Sequence, residues 1–218
     1  MKTNVLLPVF FCLCFIQGYS QKETPCLYAD IVIVSDFSGS MNGDESFVVS
    51  AVDQLISGIP PEQNKIRFGL VSFVDVLHLE MLLTHRYDSL QKIVDWYFKR
   101  KAKSFETNLA PALSIAGALF RDSISYYPRN RIIIIITDGV LNDEYQALAM
   151  ANTISEKFGI TICAISPSLG DNLQIGPISP KPFSEVRHDV LFKLSGGNYF
   201  FNDVETLKEG IRKRGLCL

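Results

Sequence analysis

Several short motifs that mark common enzyme and nucleotide-binding classes are missing from this 218-residue chain. It has no Gly-x-Ser-x-Gly segment, where many hydrolases place their nucleophile, and no Gly-x-Gly-x-x-Gly segment or phosphate-binding loop. The chain has only three histidines, and none of them follows a convincing strand end at which it could serve a serine nucleophile. We therefore predict that the protein is not an enzyme and binds no nucleotide.

The chain also lacks an excess of positive charge. It has 21 Lys and Arg against 23 Asp and Glu, a balance that gives no support to binding of nucleic acid or of an anionic membrane. No Pro-, Ser- or Gly-rich linker and no internal repeat divides the sequence, and a hydrophobic content of 47% suffices for one well-buried domain. No Asn-x-Ser/Thr acceptor is present, so N-linked glycans are not expected.

Residues 1–20 are typical of a secretory signal peptide. A charged start is followed by an apolar segment over residues 5–16, and Gly18 and Ser20 lie three and one positions before a cut after Ser20. An uncleaved membrane anchor is the alternative, but an anchor normally needs about 20 apolar residues. We therefore predict a secreted, extracellular protein without a membrane span, whose single domain covers residues 21–218.

Cysteines are few, and three remain after removal of the signal peptide. Cys26 and Cys217 lie at the two ends of the predicted domain, outside its first predicted strand and its last predicted helix. Because domain termini are often close together, we predict a disulfide between Cys26 and Cys217. An intermolecular bond through Cys217 is the alternative. Cys163 lies in an apolar segment of strand length and is predicted to be a buried thiol.

Apolar segments of strand length alternate with segments of helical periodicity, which predicts an α/β fold. Three strands, around Val32, Ile134 and Ile162, are apolar at odd and even positions alike, as in strands that are buried on both faces. We therefore predict a doubly wound, mainly parallel sheet with helices on both faces. The predicted strands are Asp30–Ser35, Arg67–Val74, Leu77–Leu82, Arg131–Thr137, Ile160–Ser166 and Asn198–Phe201. The predicted helices cover Val48–Ile59, Leu109–Phe120, Tyr145–Phe158, a segment that ends at Leu194, and Val204–Ile211.

An Asp-x-Ser-x-Ser motif follows the first predicted strand, at the turn that leaves it. Asp36, Ser38 and Ser40 provide one carboxylate and two hydroxyls, spaced two residues apart, from which a hard cation could collect three oxygen ligands. An aspartate phosphotransferase would need a second Asp where Ser38 stands, which argues against that chemistry.

A second acid, Asp138, follows a run of isoleucines and also lies just past the end of a predicted buried strand. In open α/β sheets, ligands bind at this edge where the strand order reverses, and two neighbouring strands would bring Asp36 and Asp138 together there. No Lys or Arg follows either acid within four residues, so a cation is the natural counter-charge. Thr107 precedes a predicted helix that Pro111 can start in its first turn, and by itself it would be an ordinary helix cap.

Three motifs together resemble the metal-ion-dependent adhesion site of the von Willebrand factor type A family. They are Asp36-x-Ser38-x-Ser40, Thr107 and Thr137-Asp138-Gly139. The resemblance covers nearly the whole chain after the signal peptide, in the order of the motifs and in the alternation of elements. It implies a six-stranded, mainly parallel sheet with one antiparallel edge strand and an ion at the C-terminal edge of the strands.

The resemblance also implies a role for each site residue. Ser38, Ser40 and Thr107 would give hydroxyl oxygens to the ion, while Asp36 and Asp138 would bind it directly or through water. Such an all-oxygen, near-octahedral set suits Mg²⁺, and it would also accept Ca²⁺ or Mn²⁺. The ion would keep one position for a Glu or Asp of an extracellular or matrix protein. The alternative is a metal-independent extracellular matrix or interaction module whose ion is purely structural.

The sequence departs from the family beside the predicted site. Family members commonly have small residues before the metal-binding Thr, whereas Phe105 and Glu106 precede Thr107 here. Glu106 could retune the metal affinity, repel an acidic ligand or extend into solvent. We predict that Glu106 and Val140 lie at the rim of the ligand-binding site. The sequence defines neither the ligand nor the oligomeric state.

Overall fold

The computed structural model describes residues 28–41, 44–57, 65–74, 77–98, 106–121, 129–166, 187–201 and 204–212. The predicted signal peptide, residues 1–20, and the two cysteines of the predicted disulfide, Cys26 and Cys217, lie outside the described residues. Secretion and the disulfide therefore stay predictions.

Six strands form one sheet in the order β3-β2-β1-β4-β5-β6. The strands are β1 Ala29–Asp36, β2 Ile66–Phe73, β3 Leu77–Thr84, β4 Asn130–Ile136, β5 Thr161–Ser166 and β6 Tyr199–Phe201. Strand β3 pairs antiparallel with β2 at one edge, and all other neighbours are parallel. This confirms the predicted fold class, including the six-stranded sheet and its antiparallel edge strand.

Two layers of helices cover the sheet. The helices are α1 Glu45–Ile56, α2 Tyr87–Phe98, α3 Leu109–Leu119, α4 Glu144–Phe158, α5 His188–Leu194 and α6 Val204–Arg212. Helices α1, α2 and α6 pack on one face, and α3, α4 and α5 pack on the other. The sequence prediction missed α2, although Tyr87, Leu90 and Ile93 recur at three-residue intervals and pack on one core. No helix in the described ranges is long and apolar enough to cross a membrane.

The central strands are apolar at every position because each face has its own hydrophobic core. In β1, Ile31 and Ile33 belong to the core under α1, α2 and α6, whereas Val32 and Val34 belong to the core under α3, α4 and α5. Full burial of each such side chain stabilises the fold by about 1.5–3 kcal/mol. Cys163 of β5 is 2% exposed and lies in the first of these cores, as predicted.

The strand order reverses between β1 and β4. From β1 the chain runs outward through β2 to the edge strand β3, and it then returns to form β4 on the other side of β1. The parallel register pairs Ser35 with Ile136, so Asp36 and Thr137 leave the sheet side by side. The ends of β1 and β4 therefore flank the crevice in which open α/β sheets bind their ligands.

Candidate metal centre

Asp36 is the last residue of β1, and its side chain is fully buried. Its Oδ1 accepts a hydrogen bond from the Ser38 N–H at 2.8 Å, and its Oδ2 accepts one from the Thr137 hydroxyl at 2.5 Å. The Phe37 N–H donates to the Phe73 carbonyl at 2.9 Å, which continues the pairing with β2 for one residue beyond Asp36. The carboxyl group is thus held between the ends of β1 and β4.

The turn after Asp36 brings the two serines of the motif together. Residues Gly39–Met41 form a single turn of 3₁₀ helix, which the Met41 N–H closes by donating to the Ser38 carbonyl at 3.0 Å. Met41 is buried in the core that α1 covers, and this packing fixes the turn. Ser38 Oγ and Ser40 Oγ lie 2.8 Å apart, so two hydroxyls share the turn that carries the acid.

Asp138 is the second buried acid at this edge. It follows β4 and Thr137, and its Oδ1 accepts a hydrogen bond from the Val140 N–H at 3.0 Å. The Arg187 N–H donates to the Asp138 carbonyl at 2.9 Å and joins the start of α5 to this turn. Gly139, between Asp138 and Val140, has φ +79°, and a Cβ at this position would lie 3.0 Å from the Arg187 carbonyl oxygen. The turn therefore requires glycine for both its backbone conformation and its packing.

Hydrogen bonds between loops bring Thr107 to the same edge. The Thr107 N–H donates to Asn142 Oδ1 at 2.6 Å, and the Thr107 carbonyl accepts from the Asn142 N–H at 2.9 Å. The Asn108 N–H donates to the carbonyl of Val74, just past β2, at 3.2 Å. Thr107 is 2% exposed, yet its hydroxyl forms no hydrogen bond with any other residue in the described ranges. A hydroxyl without a protein partner at this edge is suited to a bound ligand.

Asp143, from the loop that carries Asp138, caps helix α3. Its two carboxylate oxygens accept hydrogen bonds from the N–H groups of Leu109 at 2.9 Å and Ala110 at 2.7 Å. An acid at this position also interacts favourably with the helix dipole. Asn108 occupies the N-cap position, but its own side chain forms no capping bond. The cap of α3 is therefore Asp143 rather than Thr107.

The electrostatics of this edge disfavour a charged Asp36. Burial raises the pKa of Asp36 from 3.8 to about 7; the hydrogen bonds from Thr137 and Ser38 lower it, and the charge of Asp138 raises it further. Asp36 forms no ion pair with a cationic side chain in the part of the chain that the structure describes. A cation would supply the counter-charge that the described side chains do not give to Asp36.

The chemistry of the donor set fits a hard divalent cation. The five predicted ligands, Asp36, Ser38, Ser40, Thr107 and Asp138, lie at the C-terminal edge of the sheet, and each offers oxygen. Their mixture of two carboxylates and three hydroxyls suits Mg²⁺ better than Zn²⁺. Among the described residues, no group of three or more His, Cys, Asp or Glu side chains is arranged to hold a metal ion. A site here therefore depends on the hydroxyls.

The two predicted rim residues flank this set at the surface. Glu106 is exposed beside the buried Thr107, and Val140 is 45% exposed after Asp138. Their contact with a ligand stays a prediction.

Sequence reasoning missed Thr137, Asn142 and Asp143 as structural partners of the site. Asn142 and Asp143 stand directly before α4, where they look like ordinary caps of that helix.

Comparison with known proteins identifies the family of this domain. Residues 30–198 match the von Willebrand factor type A domain. The chain belongs to this family. Over 140 residues, 62% of the chain, it is 27% identical to the human collagen alpha-5(VI) chain, but the match spans only 5% of that much longer protein.

Two solved structures show the same fold. The manganese-loaded TRAP protein of Plasmodium vivax has a TM-score of 0.67 and 16% identity to this von Willebrand factor type A domain, covering 88% of this chain and 74% of that one. The vWF domain of the pili tip protein Mfa5 from Porphyromonas gingivalis has a TM-score of 0.60 and 13% identity, with coverage of 87% and 94%.

Proposed function

We propose that this von Willebrand factor type A domain is a secreted interaction module that binds a protein ligand through a divalent cation, Mg²⁺ in the first instance. The residues that would hold the ion are Asp36, Ser38, Ser40, Thr107 and Asp138. When bound, the ion supplies a Lewis-acidic position that accepts a Glu or Asp carboxylate oxygen from the partner. The chain's own residues would fix the ion at the sheet edge and leave that position open between Glu106 and Val140.

The observation that carries this proposal is the contrast between two buried acids of β1. Asp30, at the start of the strand, is neutralised by Arg67 and Arg129, each at 2.6 Å. Asp36, at the end of the strand, has Asp138 as its charged neighbour, and its pKa is raised to about 7. Two acids and the Thr107 hydroxyl at a ligand-binding edge are the composition expected of a cation site.

The relatives support the coarser part of the proposal. The identity to a collagen chain supports a place in extracellular material, and the pili tip protein supports a role in adhesion. The manganese-loaded TRAP structure supports a divalent cation on this fold.

A pull-down from extracellular material tests the proposal. The mature chain is used as bait with Mg²⁺ and with chelator, alongside Asp138→Ala and Ser40→Ala. Asp88→Ala is the matched control, because it removes an exposed acid in the first turn of α2, away from the site. We expect a partner that is captured with Mg²⁺ by the unchanged chain and by Asp88→Ala, and that is lost with chelator or with either site variant.

Ser40→Ala is the second site variant, and it keeps the test valid if Asp138→Ala does not fold. Ser40 is only half-buried, so Ser40→Ala removes one hydroxyl without exposing the core. If a partner is captured equally with Mg²⁺ and with chelator, and by both site variants, the domain is a metal-independent interaction module and the cation-dependent proposal is wrong.

A further inference from the structure

Thr137 joins the ends of three neighbouring strands at the candidate metal centre. It is 0% exposed, and its N–H donates to the Ile165 carbonyl at 3.3 Å, which continues the pairing of β4 with β5 for one residue. Its hydroxyl reaches the other neighbour of β4, where it lies 2.5 Å from Asp36 Oδ2 at the end of β1. One buried residue therefore connects the ends of β1, β4 and β5.

The two hydrogen bonds of the Thr137 hydroxyl have a fixed direction. The Gly139 N–H donates to Thr137 Oγ1 at 3.1 Å, so it occupies a lone pair of that oxygen. An ionised carboxylate can only accept hydrogen bonds, and the single hydroxyl proton of Thr137 is therefore donated to Asp36. Because its proton is committed to Asp36, Thr137 would act on a bound cation through that carboxylate.

The Asp36 carboxylate is held at both of its oxygens. The Ser38 N–H donates to Oδ1 at 2.8 Å, and the Thr137 hydroxyl donates to Oδ2. The bond from Ser38 comes from the same turn as the carboxylate, whereas the bond from Thr137 ties it to the neighbouring strand. The terminal torsion of an aspartate is otherwise soft. Without the Thr137 hydroxyl, the carboxylate would keep only the local bond and could rotate.

The rigidity of the two acids bears on which divalent cation the site prefers. Mg²⁺ requires a near-ideal octahedron with ligands at about 2.0–2.1 Å, whereas Ca²⁺ accepts flexible arrangements with ligands at about 2.3–2.6 Å. Asp138 lies between Thr137 and Gly139, so the hydrogen bond that joins these two also restrains the turn of the second acid. The Thr137 hydroxyl therefore restrains both acids at once, as a site for a small ion requires.

We propose that Thr137 is a positioning residue that makes the site selective for a cation of the size of Mg²⁺ over Ca²⁺. Its hydroxyl holds Asp36 through Oδ2 and the Asp138 turn through the Gly139 N–H. The inference rests on the proposed function, because selectivity has a meaning only if this edge holds a cation. Thr137 is not one of the five predicted ligands, so it can be changed without removing a ligand oxygen.

Calorimetric titration of the chelator-treated mature chain with Mg²⁺, and separately with Ca²⁺, tests the selectivity. Thr137→Val keeps the shape of the side chain without its hydroxyl, and Thr137→Ser keeps the hydroxyl. We expect Thr137→Val to weaken Mg²⁺ binding by about ten-fold or more, as for the loss of a group that orients a metal ligand. Ca²⁺ binding should weaken less, so the ratio of the Mg²⁺ to the Ca²⁺ affinity should fall by about three-fold or more. Thr137→Ser should keep the affinities and the ratio of the unchanged chain.

Thr153→Val is the matched control for the loss of a hydroxyl. Thr153 donates its hydroxyl to the Ala149 carbonyl within α4, away from the site, so this variant should change neither affinity. Thermal unfolding in chelator shows whether each variant folds. If Thr137→Val does not fold, Thr137→Ala removes the same hydroxyl with a smaller side chain and should show the same fall in the affinity ratio.

The inference is wrong if the two affinities fall by the same factor in Thr137→Val, because Thr137 would then support the site without selecting the ion. It is also wrong if Thr137→Val binds both cations as the unchanged chain does, or if Thr137→Ser loses selectivity as Thr137→Val does. Failure of the unchanged chain to bind either cation is a separate result, which would contradict the proposed function and this inference together.

Discussion

Asp36 is the residue on which the chemistry of the candidate site depends. Its pKa is raised from 3.8 to about 7, first by burial and also by the charge of Asp138. Between these two pH values, the folded protein keeps a proton on Asp36 that the unfolded chain has lost. Because the pKa of Asp36 is higher in the folded than in the unfolded state, its contribution to the free energy of unfolding falls as the pH rises from about 4 to about 7.

We predict that the metal-free protein loses more stability between pH 5 and pH 8 than the variant Asp36→Asn does. The reason is that Asn cannot ionise, so the difference between the two proteins isolates this one carboxyl group. Saturating Mg²⁺ should remove the loss, because the cation competes with the proton for the same oxygens. Thermal unfolding of both proteins at the two pH values, with chelator and with Mg²⁺, measures the effect. An identical pH dependence of the two proteins in chelator would contradict it.

The sequence located single site residues better than their supports. Asp36, Ser38, Ser40 and Asp138 were predicted from acids and hydroxyls that follow apolar strands, and the structure brings them to one sheet edge. Thr137, Asn142 and Asp143 were missed as supports because their partners depend on how distant loops meet. The hydrogen bond from Thr137 to Asp36 spans 101 positions in sequence, and no local sequence pattern predicts such a contact.

At the scale of elements, the loop after β4 holds the N-terminus of α3 in place. Asp143 accepts two N–H groups of α3, and Asn142 forms two hydrogen bonds with Thr107. Two neighbouring residues of one loop therefore set the position of the Thr107 loop relative to Asp138. We infer that α3, Thr107 and the Asp138 turn behave as one unit.

We predict that Asp143→Ala lowers the free energy of unfolding by about 1–2 kcal/mol, the size of a lost helix cap. It should also weaken Mg²⁺ binding, because Thr107 would lose its fixed position. Asp143→Asn keeps one acceptor oxygen and should recover part of both losses. Chemical denaturation and cation titration of the three proteins measure the two effects. Unchanged cation affinity in Asp143→Ala would show that the loop contact supports the fold alone.

The sequence predicted the strands well where burial on both faces determines which residues are apolar. Strands β1, β4 and β5 are apolar at both parities because a core lies on each face, so the prediction found them within one residue of their ends. The antiparallel direction of β3 came from the family resemblance, since its alternating pattern is compatible with either direction. Helix α2 was missed, although its buried side chains repeat at helical spacing.

At the scale of the whole molecule, the two edges of the sheet have opposite electrostatic character. The C-terminal edge gathers the buried acids Asp36 and Asp138, and the N-terminal edge carries Arg67 and Arg129 on either side of Asp30. A formal net charge of −2 conceals this division. Composition alone could not show where along the sheet the acids and the cations concentrate.

The described ends of the chain both lie at the N-terminal edge of the sheet. Strand β1 begins there at Ala29, which donates its N–H to the Lys65 carbonyl at 2.9 Å. In α6, Lys208 donates to the carbonyls of Gln54 and Ser57, where α1 ends at the same edge. The disulfide between Cys26 and Cys217 stays a prediction, because both cysteines lie outside the described residues.

The central claim is that this domain holds one divalent cation on Asp36, Ser38, Ser40, Thr107 and Asp138. The most direct measurement is calorimetric titration of Mg²⁺, and separately Mn²⁺, into chelator-treated protein, with Asp138→Ala, Ser40→Ala and the control Asp88→Ala. We predict one ion per chain, affinity weakened by about ten-fold or more in both site variants, and no change in the control. An affinity that is equal in all four proteins, or no binding to the unchanged chain, would contradict the account.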